Sequence, residues 1–311
     1  MSSVLFDTPG PGAKRRNILY TVGFLVVLAA VVWFVYSALD EKGQLAWSLW
    51  KPFFTGTEAY TTYIWPGLEN TLEAAALAMV IALPLGAVLG IARLSDHVWV
   101  RVVAAVVVEF FRAIPVLVLM IFGLALFAQY TDVSSDDRPF YAVVTGLVLY
   151  NASVLAEIVR SGILSLPKGQ SEAAQAIGLR KGQMMRLVLL PQSVTVMLPA
   201  IVSQLVVIVK DTALGGAVLT FPELLASANT MSGYYGNIIA SLTVVAVIYV
   251  VINFSLTSFA HWLEGRLRRG KKSTGAVLGV QDVTDAAGTA ATGADPAGGP
   301  SGAGDIVGTK K

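Results

Sequence analysis

The sequence predicts an all-α integral membrane protein of about six transmembrane helices, and three observations carry that reading. Of its 311 residues, 55% are apolar and only 14% charged, with a mean hydropathy of +0.68. A soluble domain carries about 25% charged residues. The apolar residues fall in uncharged runs of the length a bilayer requires, roughly 20 residues for ~30 Å of hydrocarbon. The basic residues between those runs gather on one side of the membrane, which orients the chain. The same composition excludes other classes. With no cysteine and only His97 and His261, disulfides, cysteine nucleophiles and histidine metal clusters are ruled out. No catalytic residue, metal or cofactor is expected. A net charge of +2 without a soluble basic face excludes nucleic-acid binding.

The first run, 18–39, is uncharged and follows Lys14, Arg15 and Arg16. It is longer than the ~7–15-residue apolar core of a signal peptide, and further runs follow. It therefore reads as an uncleaved span behind a short cytoplasmic segment, 1–17. The remaining candidates are 72–92, a stretch within 102–130, 140–159, 190–209 and 238–259. With the amino terminus in the cytoplasm, that side also receives Arg93, Arg101, Arg160, Lys168, Arg180, Lys181 and Arg186. After the last span it receives Arg266, Arg268, Arg269, Lys271 and Lys272. The opposite side holds Asp40, Glu41, Lys42 and Lys51, then Asp132, Asp136, Asp137 and Arg138, and a 210–237 loop with Glu223. Both termini are therefore expected in the cytoplasm. Residues 273–311 are rich in Gly, Ala, Thr and Ser; they bury too little apolar surface to order themselves and are expected to form a disordered tail.

The 102–130 stretch as one straight helix would reach roughly 44 Å, too long for the hydrocarbon. Pro115 removes a backbone donor and disfavours helix at Ile114. A break is expected there, with 102–112 forming an interfacial helix and the span running from about Ala113 to Tyr130. A single tilted, kinked helix is the alternative.

Ionisable side chains within spans cost at least ~2.5–3.5 kcal/mol on insertion scales and so mark function by default. Arg112, three residues from Glu109, and Glu157, three from Arg160, are candidates for a substrate path, as are Lys210 and Asp211 at the far end of their span. Solvated or structural ion pairs are the alternative for each. Gly265 to Lys272 nearly spells a phosphate-binding loop, but Lys272 stands where the magnesium-binding Ser or Thr belongs. That segment reads as a basic stop after the last span. His97 and His261 are expected at the surface.

The most informative segment is the cytoplasmic loop 165–191. Ser171-Glu172-Ala173-Ala174-Gln175-Ala176 forms helix readily and presents small side chains, and Gly178 accepts the left-handed conformation of a helix stop. Such a helix can enter a groove on a partner. Pro191 is expected to open the next span.

Glu172-Ala173-Ala174, then Gly178, Val188 and Leu190-Pro191, resembles the EAA signature of ABC importer permeases, with Val188 where isoleucine is usual. Further blocks are similar to the polar amino acid permeases: Gly67 to Leu72, Phe111-Arg112 with Pro115, Ala156-Glu157 with Arg160 and Gly162, Gly169-Gln170, and Lys210-Asp211-Thr212 with Leu214. The resemblance covers about 60–265. Ala113-Ile114 and Ala213 depart from the usual Gly-Thr and serine. Tyr150-Asn151-Ala152 looks most like the actinobacterial glutamate permeases.

The resemblance implies a type I ABC importer permease fold with a cytoplasmic coupling loop in the bacterial plasma membrane. It implies that Glu172, Ala173, Ala174 and Gly178 couple to a separate ATP-binding subunit. A second permease subunit, homologous or identical, an extracytoplasmic solute-binding protein and the membrane lipid are the other implied partners. The chain itself is then no enzyme, and its function is import of a polar amino acid, with glutamate favoured over glutamine or a basic amino acid. An ion-coupled secondary carrier is the rival class; the sequence shows none of the internal repeats such carriers often have.

Overall fold

The computed structural model describes residues 10–269, and it is helical from end to end. Among the described residues five helices are long and apolar enough to cross a membrane, or six if one sharply bent pair counts as a single span. The expected 1–17 segment is described from residue 10 onward, and the expected tail 273–311 lies outside the described residues.

Helix α1 (Pro11–Glu41) is apolar on every side. Trp33 and Phe34 are each 71% exposed, and no residue of its most apolar window is buried. A helix without a polar stripe is at home only in hydrocarbon. A short α2 (Trp47–Trp50) and a 3-10 turn lead to a π turn, Ala59–Ile64, that runs without interruption into α3 (Trp65–Ala92).

On α3 the residues Ala74, Ala78, Ala82, Gly86 and Gly90 recur every fourth position, and all are buried. They form a narrow, flat stripe on which α6 (Arg138–Leu164) rests. A Cβ on Gly86 would lie 2.6 Å from the Leu155 Cβ, and one on Gly90 would lie 2.6 Å from the Ala156 carbonyl oxygen. In a bilayer no hydrophobic effect drives helices together, so close backbone approach through small residues supplies the packing energy.

Between these helices lie α4 (Val98–Ala113) and α5 (Val116–Tyr130), which meet at an angle of 98°. Ile114 and Pro115 are extended at the corner, as the proline requires. The expected break is therefore present, and the single-helix alternative is excluded; the span begins at Val116, three residues later than expected. Helix α5 is only about 22 Å long.

After α6 come α7 (Lys168–Ala176) and α8 (Lys181–Met184), then a π turn, Met185–Leu189, and α9 (Leu190–Val218). Two expectations fail here. Pro191 does not open a helix: α8, the π turn and α9 form one continuous rod, Lys181–Val218. The absent Pro191 amide is instead accommodated beside the π turn, where the regular hydrogen-bond ladder is already broken. Nor does α9 end at residue 209. Thr212 and Gly215 are buried against the bundle, so the helix continues through Lys210 and Asp211 for two more turns. The remainder of the expected 210–237 loop contains α10 (Leu224–Tyr235), which is closed by the left-handed Gly236. The last span is α11 (Ile238–Arg269). Contacts divide the chain into residues 1–265 and a unit Arg266–Lys311, of which the described part is the final turn of α11.

Candidate functional site

Helix α7 begins beyond Pro167 and ends in a complete glycine stop. Gly178 has φ +80°, the left-handed region that costs an L side chain roughly 1–2 kcal/mol. Its amide donates to the Gln175 carbonyl at 2.9 Å, and the Leu179 amide donates to the Ala174 carbonyl at 3.1 Å. These are the two bonds of a Schellman motif. Glu172, Ala173 and Gly178 are exposed. Ala174 is not: at 3% exposure it packs with Val159, Ile163, Met184, Leu189 and Met197. It fastens α7 to the bundle, so that of the four residues expected to couple, Glu172, Ala173 and Gly178 are at the surface and Ala174 is not. A Gln192 to Gln170 side-chain bond of 3.1 Å ties α7 to α9.

A five-residue ion network joins the end of α3, α4 and α6. Glu157 on α6 accepts from Arg93 at 2.7 Å and from Arg160 at 2.7 Å. Arg93 also reaches Glu109 at 3.0 Å. Arg112 stands at 3.5 Å from Glu109 and 3.9 Å from Glu157. The structure thus joins both predicted three-residue pairs, with Glu157 at the centre and Arg112 at the edge. Sequence reasoning passed over Arg93, the least exposed of the five. Its signal was position: it is the C-cap of α3, where a cation meets the helix dipole. The network fixes the end of α3 and the α4–α5 corner to α6.

Lys210 and Asp211 make no ion pair with each other among the described residues; successive helix positions point about 100° apart. Lys210 is exposed and lines a cavity of about 510 Å³ between α9, α10 and α11, with Ala213, Leu225, Tyr249 and Asn253 on its walls. The buried Asn253 Oδ1 has no hydrogen-bond partner among the described residues. Behind this cavity, Glu223 caps α10. Its carboxylate accepts from the Leu225 and Ala226 amides at 2.7 Å each and from the Tyr249 hydroxyl at 2.8 Å. Thr71 Oγ1 accepts from the Leu224 amide at 3.0 Å. Burial pushes the Glu223 carboxyl above its ordinary value. Midway along the bundle, the Gln204 amide donates to the buried Asn151 at 2.5 Å, joining α9 to α6. No cluster able to hold a metal ion occurs among the described residues.

Comparison with known proteins places this geometry in context. Residues 82–269 match the family described as "Binding-protein-dependent transport system inner membrane component". The chain is 46% identical over 247 residues to the glutamate transport system permease protein GluD of Corynebacterium glutamicum, covering 79% of this chain and 90% of GluD. It is 31% identical over 209 residues to the glutamate/aspartate import permease protein GltK of Escherichia coli, covering 66% of this chain and 93% of GltK. Among solved structures, the crystal structure of an amino acid ABC transporter with histidines shares the fold with a TM-score of 0.61. That match has 27% identity and covers 67% of this chain and 95% of that one.

Proposed function

Since the chain belongs to the family of binding-protein-dependent transport system inner membrane components, we propose that it imports glutamate into the cell as the permease subunit of an amino acid ABC transporter. It is a multi-pass membrane protein of type I importer fold, and ATP hydrolysis belongs to a separate subunit. The observation that carries the coupling role is α7: a largely exposed, glycine-stopped helix anchored to the bundle by Ala174 and connecting the spans α6 and α9. In the proposed mechanism Glu172, Ala173 and Gly178 meet the ATP-binding subunit, on the same side as both termini. Closure of paired ATP-binding subunits displaces α7 and rocks two permease subunits from inward-facing to outward-facing. An extracytoplasmic binding protein then releases its amino acid into the path. Residues 60–265 form the transporting core, and 18–39 an additional membrane anchor.

Glutamate is the proposed substrate because the chain resembles GluD over most of both lengths. The cavity at Lys210 supports a solute that carries an anionic group. The Lys210 ammonium, exposed at the cavity, can meet a carboxylate. Arg112 and Glu157 have charge partners already, which favours a structural role for them over substrate contact. Competitive uptake of labelled glutamate, aspartate, glutamine and arginine in a strain lacking the native permease tests the substrate. Glutamate uptake should fall sharply in Lys210→Gln with the complex still assembled. Uptake of a neutral or basic amino acid in place of glutamate would overturn the assignment.

A further inference from the structure

A second cavity of about 510 Å³ opens where the end of α3 and the 93–98 turn face α8 and the π turn. That volume falls within the roughly 300–1,000 Å³ of small-molecule sites. Its floor is apolar, made by Ile91, Leu94, Met185 and Leu190, and its rim is basic, with Lys181 and Arg186. The Lys181 ammonium touches the Asp96 carboxylate. Arg186 is exposed and has neither a hydrogen bond nor an ion pair among the described residues. A guanidinium above an apolar trough, with no carboxylate of its own, is half of a recognition site.

The surroundings say which face the groove opens on. Trp99 beside it is 85% exposed and Leu187 on its other flank 64% exposed. A bare tryptophan in the first turn of α4, seven residues past the end of the α3 span, marks the headgroup level of a bilayer. The groove therefore meets the membrane surface sideways, with its cations at headgroup height and its floor toward the acyl chains.

We propose that this groove binds an anionic glycerophospholipid, with the phosphate on Arg186 and Lys181 and the start of an acyl chain on the floor beneath. Asp96 sets the selectivity. It compensates one cation, so a zwitterionic headgroup gains little, while an anion gains the uncompensated Arg186. Because α8 and the π turn continue into α9 and abut α7, an occupied groove would brace the base of the coupling loop. The inference takes from the proposed orientation only that the groove lies at a membrane surface. Lipid retention does not depend on which surface that is, so the two readings fail separately.

Native mass spectrometry of the full chain in complex with its ATP-binding subunit, equilibrated with equimolar dioleoyl phosphatidylglycerol and phosphatidylcholine, tests it. The wild type should retain phosphatidylglycerol preferentially, and Arg186→Gln should lower that retention about fivefold. Lys181→Gln/Arg186→Gln should lose it further, and the basic control Arg15→Gln should not change it. Because Arg186 is exposed, the variant complex should elute and melt as the wild type does. Equal retention of the two lipids, or undiminished retention in the double variant, would overturn the proposal. So would competition by dihexanoyl phosphatidylglycerol as effective as the long-chain lipid, which would make the site one for a free anion. Loss of the ATP-binding subunit together with the lipid would reassign the groove to a protein contact.

Discussion

Gly216 on α9 lies so close to Glu223 that a Cβ added to it would stand 1.9 Å from the carboxylate Oε1. The missing side chain is what lets the Glu223 carboxyl sit over the first amides of α10. Gly216→Ala should expel the carboxyl, uncap α10 and destabilise the protein by about 2–4 kcal/mol, from cap loss and overpacking together. Gly233→Ala, on the same helix α10 with open space around it, should be neutral or stabilise by about 0.5–1 kcal/mol. Thermal unfolding in detergent compares the two directly.

The same carboxyl gives the stability a pH dependence. Burial raises its native value, against the lowering effect of the Leu225, Tyr249 and Ala226 donors. The folded protein therefore holds this proton more tightly than the unfolded chain does. The resulting stabilisation is complete below the ordinary carboxylate value and is lost as pH rises through the raised native value. Melting temperature recorded across that window should decline for the wild type and flatten in Glu223→Gln.

At α7, the proposed coupling helix, the obstacle to substitution is conformational, because nothing lies within 4 Å of a Cβ on Gly178. Asparagine tolerates positive φ and a β-branched residue does not. Gly178→Asn should keep most uptake. Gly178→Val should lose uptake by an order of magnitude and lose the stimulation of ATP hydrolysis by loaded binding protein. The paired assays in vesicles separate this from loss of expression, and equal activity of the two variants would remove the helix stop from the coupling scheme.

Within the ion network the arginines are not equivalent. Arg93→Met removes the 2.7 Å partner of Glu157 and the 3.0 Å partner of Glu109. It should cost about 1–3 kcal/mol, as charged hydrogen bonds do. Arg112→Lys, at 3.5 and 3.9 Å from its carboxylates, should change stability by less than about 0.5 kcal/mol. Urea-dependent unfolding of the two variants distinguishes them. A severe effect at Arg112 on uptake alone would return it to the substrate path.

The spans were legible because hydropathy over 20 residues is a strong signal, and the corner at Pro115 because proline acts locally. Gly178 was legible for the same local reason. What was hidden depended on neighbours. Lys210 and Asp211 looked like the end of a span, yet Thr212 and Gly215 turn the helix surface into the bundle and keep it winding. Pro191 looked like a helix start because a one-residue rule does not register a π turn upstream. Arg93 looked like one more cation in a basic loop; only the arrival of α4 and α6 shows that it holds two carboxylates. Ala174 carries no charge or bulk to announce its direction, and only the packing of α7 turns it inward.

In the proposed coupling scheme the continuous helix from Lys181 to Val218 acts as a lever that α7, just before its base, would drive. At ~1.5 Å per residue the rod is roughly 57 Å long, so tilting it by one degree about its base moves its far end by about 1 Å. A displacement of a few ångströms at the proposed coupling loop, near the fulcrum, would then become a larger swing at the far end, where Gly216 and Glu223 connect the rod to α10. The π turn at Met185–Leu189 is the one wide coil in that arm close to the point where force enters, and stiffening or slackening it would change the gear ratio of the transporter without touching substrate or nucleotide.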